Sequence, residues 1–233
     1  IALGGDGTIS EVANGLIGTG VPLAVLPGGT GNAVALELGI PGRLRQAVEV
    51  ICDPASTLRP LDLGRVGDQY FVLRASIGMQ AKLAEQATRE MKSRYGNLAY
   101  LFSALSTLTD RQTATYTLTI DGEQVTSEGF TCLINNCGSI GGLNVSLNAD
   151  IDPSDGLLDV FVLKEYTDPL LSIAADAFPQ AELNKMLQYW QGREIEVMAS
   201  EPQAVRLDGE LYGETPLTVA VEPGAIQVLV PGK

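Results

Sequence analysis

A chain of 233 residues is long enough to bury a substantial core, as one large domain or as two small ones. Hydrophobic residues at 45% and charged residues at 18% are ordinary for a folded globular protein and exclude a disordered one. The net charge of −13 disfavours nonspecific nucleic-acid binding, and contact with an anionic membrane would have to go through a local patch.

In chain order, residues 1–3 read as the end of a buried strand, followed by the turn Gly4-Gly5-Asp6-Gly7-Thr8. Val12, Ala13, Leu16 and Ile17 recur at helical spacing and predict a helix over 10–17. A short apolar strand over 21–26 ends in Pro27-Gly28-Gly29-Thr30-Gly31-Asn32, and helices follow over about 33–38 and 44–51. This strand–turn–helix rhythm predicts a parallel α/β sheet. Residues 61–66 and 70–75 then read as a hairpin around Gly67-Asp68. A long helical stretch is predicted over about 80–108, with Leu98, Leu101, Phe102, Leu105 and Leu108 on one stripe. Strands dominate afterwards, at 115–120, 129–135, 157–163, 194–198, 204–207, 217–221 and 226–230, interrupted by one helix over about 169–189.

The expected organisation is therefore a small α/β portion followed by a β-rich domain, with the boundary near residue 58. Two parallel strands cannot cover their own edges or bury both faces, and Ile1 begins inside a strand, so upstream strands and helices are expected to be missing. No apolar stretch approaches the ~20 residues needed to cross a bilayer, and no signal-peptide pattern precedes the first glycine motif. Cys52, Cys132 and Cys137 form no CxxC pair and read as buried thiols of a reducing cytoplasm. The chain has no histidine, so a general base must be a carboxylate, lysine, tyrosine or thiolate.

Four motifs can carry chemistry. Gly4 to Thr8 joins a strand to a helix, where glycines let backbone N–H groups approach phosphate oxygens and the helix N-terminus favours an anion. Asp6 is placed to orient a magnesium-bound water, and Thr8 to cap the helix and reach a phosphate; a tight capped turn is the structural alternative. The loop over 27–32 has the same setting, and two such loops at the carboxyl ends of neighbouring parallel strands would face one crevice. Neither loop has the GK[ST] ending of a Walker A motif or the GxGxxG spacing. Third, Asp152-Pro153-Ser154-Asp155-Gly156-Leu157 offers hard oxygens to Mg²⁺ or Ca²⁺, or is an acidic solvated turn. Fourth, Asp208-Gly209-Glu210 duplicates Asp121-Gly122-Glu123; Asp-Gly between alternating strands signals a type I′ hairpin in both copies, and spacing does not distinguish their glutamates. Lys82, Arg89, Lys92 and Arg94 form a basic stretch that reads as a solvated helix face or as a contact for phosphates or lipid headgroups.

Taken in order, GGDGT, LPGGTGN, PLDLGRV, YFVLRASIG, DPSDGLLDV and LDGELYGETP resemble the catalytic domain of the diacylglycerol kinase family, particularly its bacterial soluble lipid kinases. The resemblance covers nearly the whole chain. It implies an NAD kinase/diacylglycerol kinase-like two-domain fold: a partial α/β ATP-binding domain over 1–58, a β-sandwich lipid-substrate domain over 59–221, and a segment over 222–233 returning to the first. It further implies that Gly4, Gly5, Asp6, Gly7 and Thr8, with Gly29, Thr30 and Asn32, hold the ATP phosphates. Asp6 and Asp62 would join the water network around a catalytic Mg²⁺, Asp152, Asp155 and the Leu157 carbonyl would bind a structural Mg²⁺, and Glu210 would be the general base. The implied partner is a lipid at a membrane surface, met peripherally from the cytoplasm, and a homodimer is compatible with this reading. Many members carry an aspartate where this chain has Ala33. An NAD kinase-like enzyme and a catalytically silent lipid- or nucleotide-binding module are the alternative readings.

Overall fold

The computed structural model describes residues 1–78, 113–138, 151–164 and 187–232. The predicted helix over 80–108, its basic side chains and most of the predicted helix over 169–189 lie outside the described residues. No helix among the described residues is long and apolar enough to cross a membrane.

Strands β1 (Ala2–Gly4) and β2 (Val25–Pro27) run parallel, with Ala2 opposite Val25 and Gly4 opposite Pro27. Helix α1 (Asp6–Leu16) leaves β1 after the single residue Gly5 and buries Ile9 and Ala13, four apart on one face. The short helix α2 (Ala33–Glu37) follows β2, and α3 (Leu44–Cys52) packs near the same strand. Helix α1 begins four residues earlier than its apolar spacing predicts, because glycines and Asp6 carry no hydrophobic marker. The N-cap is Gly5 and makes no side-chain bond, so Thr8 lies in the first turn and does not cap the helix.

The remaining strands are β3 (Thr57–Val66), β4 (Gln69–Phe71), β5 (Arg74–Ile77), β6 (Ala114–Ile120), β7 (Glu123–Gly129), β8 (Thr131–Asn135), β9 (Leu158–Leu163), β10 (Leu187–Gly192), β11 (Glu194–Ala199), β12 (Ala204–Leu207), β13 (Glu210–Glu214) and β14 (Leu217–Val230). They form two six-stranded sheets, ordered β10-β9-β8-β5-β12-β13 and β4-β3-β14-β11-β6-β7. Alternating residues of both sheets meet in one core: Ala75, Ile77, Ile134, Val160 and Val205 from the first, Tyr116, Leu118, Ile195, Val197 and Val219 from the second. This is the expected β-sandwich.

The hairpin predicted around Gly67-Asp68 is present as β3–β4, but the strand expected over 70–75 breaks at Val72-Leu73 and resumes in the other sheet. The amides at the break bond to the Asp208 side chain, so the ladder can stop without orphaning them. The strands predicted at 217–221 and 226–230 are one strand, β14. Its register shifts between Glu222 and Ile226, and the amide of Gly224 in that bulge donates to the buried carboxylate of Asp62 at 2.7 Å. The shift turns the apolar side chains over: Val219 faces the sandwich, whereas Ile226, Val228 and Val230 join Leu61 and Leu63 in a second core with Ile9, Ala13, Leu23 and Val34. Leu23 seals this junction, bonding through its own amide and carbonyl to Gln227 and Leu229 at 2.8 Å each.

Residues 187–189, at the end of a predicted helix, belong to β10, which pairs with β9 and stacks Tyr189 on Phe161 at 5.1 Å. Strands β7 and β13 lie at sheet edges and carry few apolar side chains, so no alternating hydrophobic pattern betrays them. Cys132 and Cys137 are buried thiols, but Cys52, at the end of α3, is exposed.

Candidate active site

The two glycine loops lie against each other. The pairing of β1 with β2 continues past the strands through the Gly28 amide, which donates to the Gly4 carbonyl at 2.8 Å. A Cβ on Gly29 would stand 2.5 Å from the Gly5 Cα, and one on Gly5 would stand 3.2 Å from the Gly29 Cα. These glycines are therefore set by backbone against backbone, a closer approach than any side chain permits. Asn32 shapes the second loop from within. It sits in the left-handed region at φ 49°, its Oδ1 accepts from the Gly29 amide and its Nδ2 donates to the Gly29 carbonyl, both at 2.8 Å. Thr30 is exposed on the same loop.

Asp6 ties the loops together. It occupies the first turn of α1, and its Oδ1 accepts from the Val34 amide of α2 at 3.1 Å. Asp6 thus reaches the start of α2 directly beside Ala33, the position where the family pattern often has an aspartate. Gly7 and Thr8 are exposed, and the amides of that first turn have no partner within the helix. The arrangement presents a run of backbone donors and one carboxylate at the carboxyl edge of two parallel strands, a setting suited to a phosphate chain and its counter-ion.

The geometry also separates the two Asp-Gly-Glu copies. Both turns have positive φ at Asp and Gly, 48° and 88° in one and 48° and 96° in the other, as a type I′ hairpin requires. Asp121 receives the amides of Arg193 and Glu194, at the β10–β11 corner of the sandwich. Asp208 instead bonds to the break between β4 and β5 and to Ser10 of α1 at 2.6 Å. Glu210, exposed at the first position of β13, is therefore carried by a turn that is anchored to the helix of the first loop.

Arg74, at the start of β5, was not singled out by sequence reasoning. Burial pulls its guanidinium below the ordinary value, opposed by Cys137, Asp208 and Asp6 close by. A half-buried arginine here puts a positive charge within electrostatic reach of both Asp6 and Asp208. Its only sequence signal is a cation inside an apolar strand. The thiol of Cys137 is pushed well up by its burial, chiefly, so it stays protonated and is no nucleophile.

Asp62 is held among backbone amides. It is 2% exposed, and its carboxylate accepts from the amides of Gly156 and Gly224 at 2.7 Å each. Its own amide donates to the Pro153 carbonyl at 2.8 Å. Both oxygens of Asp62 thus anchor backbone, one the 152–156 turn and the other the β14 bulge. That turn is further clamped to β3 by Arg59, whose guanidinium bonds to Asp152 and to Ser154 Oγ.

Asp152 and Asp155 do share one turn, as the spacing predicts, and Leu157 closes it by donating its amide to Asp155 Oδ1 at 2.9 Å. Burial, with Asp152 and Asp62 nearby, raises the Asp155 carboxyl above its ordinary value, against the Leu157 bond. Arg59 offsets only part of this negative charge, so the turn fits a cation electrostatically. Among the described residues no three carboxylates or thiolates converge on one point. An ion here would draw on two carboxylates and backbone oxygens.

On β8 and β9 lie two further buried polar residues. Asn135 is fully buried, and among the described residues neither its Oδ1 nor its Nδ2 has a partner. Opposite it, Asp159 accepts from Tyr189 Oη at 2.7 Å. Burial pushes the Asp159 carboxyl from 3.8 up to about 6, more than the Tyr189 bond lowers it. The fold therefore favours the protonated acid, and its stability falls as pH rises from about 4 through about 6. Asp159→Asn keeps the acceptor for Tyr189 and removes the charge. The variant is expected to gain up to ~3 kcal/mol on the wild type between pH 4 and pH 7, read by urea unfolding across that range. A constant difference would show that Asp159 ionises as freely in the fold as in the unfolded chain.

The diacylglycerol kinase catalytic domain matches residues 1–66, and the YegS C-terminal NAD kinase beta sandwich-like domain matches residues 74–230. A Staphylococcus aureus (strain JH9) protein named "Putative lipid kinase SaurJH9_0749" is 30% identical over 232 residues, 97% of this chain and 75% of the relative. The Synechocystis protein sll0036 is 31% identical over 99% of this chain, which spans 54% of that relative's length. A crystal structure described as a diacylglycerol kinase from Bacillus anthracis str. Sterne superposes with a TM-score of 0.77 at 26% identity, covering 98% of this chain and 76% of the other. Loops, sandwich and matches agree: the chain belongs to the diacylglycerol kinase family of lipid kinases, with a YegS-type β-sandwich as its second part.

Proposed function

We propose that the protein transfers the γ-phosphoryl group of ATP to the hydroxyl of a lipid, diacylglycerol or a related acceptor, presented at a membrane surface. The observation that carries this reading is the contact of the two glycine loops at Gly5 and Gly29, bridged by Asp6. Backbone donors of Gly4 to Thr8 and of Gly29 and Thr30 bind and orient the phosphates, with Asn32 holding the second loop in shape. Glu210 takes the proton from the lipid hydroxyl as its oxygen attacks the γ-phosphorus, and the bond to the bridging oxygen of ADP breaks. The protein's part in such a transfer is positioning and charge stabilisation. Magnesium bound with the nucleotide would neutralise phosphate charge, and Asp6 would hold its water shell. Asp152, Asp155 and the Leu157 carbonyl would hold a second, structural ion, with Asp62 fixing their turn.

The test is labelled ATP with the full-length protein and, in parallel, mixed micelles of diacylglycerol, another glycerolipid or a sphingoid base, and NAD. Label in one lipid, dependent on Mg²⁺, is the expected result. Label in NAD and in none of the lipids would assign the NAD kinase reaction instead, and ATP binding without any transfer would leave a binding module.

A further inference from the structure

Asp208 collects more hydrogen bonds than a hairpin turn needs. Its carboxylate accepts from the amides of Val72, Leu73 and Arg74 at 2.8, 2.9 and 3.0 Å, and from Ser10 Oγ at 2.6 Å. Its own amide donates to the Arg74 carbonyl at 3.0 Å. The duplicate turn is an internal control. Asp121 has the same backbone conformation and the same kind of amide partners, yet no side chain donates to it among the described residues. What distinguishes Asp208 is the bond to Ser10, one helical turn after Asp6 on α1.

We propose that the Ser10–Asp208 hydrogen bond is the positioning link between the phosphate-loop helix and the turn that presents Glu210. Through it, nucleotide held at Gly4–Thr8 and the proton acceptor two residues beyond Asp208 keep a fixed separation. The proposal rests on the reading of Glu210 as general base. A charge-assisted bond of this kind is short and directional, and small displacements of a catalytic group carry large losses in rate.

The test is a double-mutant cycle on the full-length protein. Ser10→Ala is expected to lower kcat about tenfold with the KM for ATP within about twofold, Ser10→Thr to restore it, and Ser10→Ala to add nothing once Glu210→Gln is present. Asn14→Ala supplies the structural control. Asn14 also docks α1, donating to the Tyr70 carbonyl at 3.3 Å and to the backbone carbonyl of Ser10 at 2.9 Å, but touches neither the Ser10 hydroxyl nor Asp208. Its variant is expected to lose stability and keep kcat. Wild-type kcat in Ser10→Ala, or a loss that multiplies fully with that of Glu210→Gln, overturns the link. Should Glu210→Gln retain full turnover, the base assignment fails separately, and amide exchange then decides. ATP should slow exchange at 208–211 in the wild type and not in Ser10→Ala; equal protection in both rejects the proposal.

Discussion

Glu210→Gln is expected to lower phosphoryl transfer by ~10²–10⁴-fold while ATP binds almost as before, and Glu123→Gln to leave turnover unchanged. The magnitude is that of general-base assistance, and the contrast follows from where the two turns sit. Gln is isosteric and keeps β13 paired with β12, from Leu207 opposite Glu210 to Ala204 opposite Glu214. Only the capacity to take a proton is removed. With no histidine in the chain, no imidazole can stand in for it. Glu123 follows a turn of the same conformation, but that turn closes β6–β7 and is tied to Arg193 and Glu194, away from α1. Steady-state turnover with saturating lipid, beside calorimetric ATP affinity, reads both effects. Equal losses in the two variants would mean that folding of the hairpins was being measured, and an active Glu210→Gln would remove the residue from the chemistry.

The sequence made this site legible to the extent that its chemistry lies in local pattern. Gly4 to Thr8 and the loop over 27–32 are recognisable because glycine runs between apolar strands have few other uses, and the structure adds that the two runs touch. The fold class was equally readable, since β6, β9 and β11 alternate or run apolar through the sandwich core. What local pattern does not carry is side-chain partnership across long separations. Family resemblance marks Asp62, but nothing near it in sequence announces the amides it accepts from, 94 and 162 positions away. Asp208 reads in sequence only as a turn residue, because nothing near it announces Ser10, 198 positions earlier. Arg74 is hidden for a related reason: the groups that face this cation include Asp6, Asp208 and Cys137, which only the fold brings to it. The β14 bulge looks in sequence like a gap between strands because Pro223-Gly224 breaks alternation, and the Asp62 carboxylate that satisfies the bulge lies far away.

Gly29→Ala and Gly7→Ala are expected to fail in different ways, and the difference locates the phosphates. On Gly29 the new methyl would lie 2.5 Å from the Gly5 Cα and 3.1 Å from Asn32 Oδ1. Carbon atoms pack at roughly 3.5–4.0 Å, and neither backbone can swing aside as a flexible side chain would. The loops must part, straining the Gly28–Gly4 bond and the reciprocal Asn32–Gly29 pair. A stability loss of about 1–3 kcal/mol is expected, together with a fall in kcat/KM for ATP of at least ~100-fold. A methyl on Gly7 meets nothing within 4 Å and lies inside the first turn of α1, where alanine is favoured over glycine by up to ~1 kcal/mol. The fold should therefore keep or gain stability. If phosphates lie over that turn, the methyl projects into the space they use, and ATP affinity should drop about tenfold or more in a protein that melts no earlier than the wild type. Calorimetric titration with ATP–Mg²⁺ beside thermal unfolding separates the two variants. Normal ATP affinity in Gly7→Ala would move the nucleotide off the first turn of α1, and normal stability in Gly29→Ala would mean that the two loops do not touch.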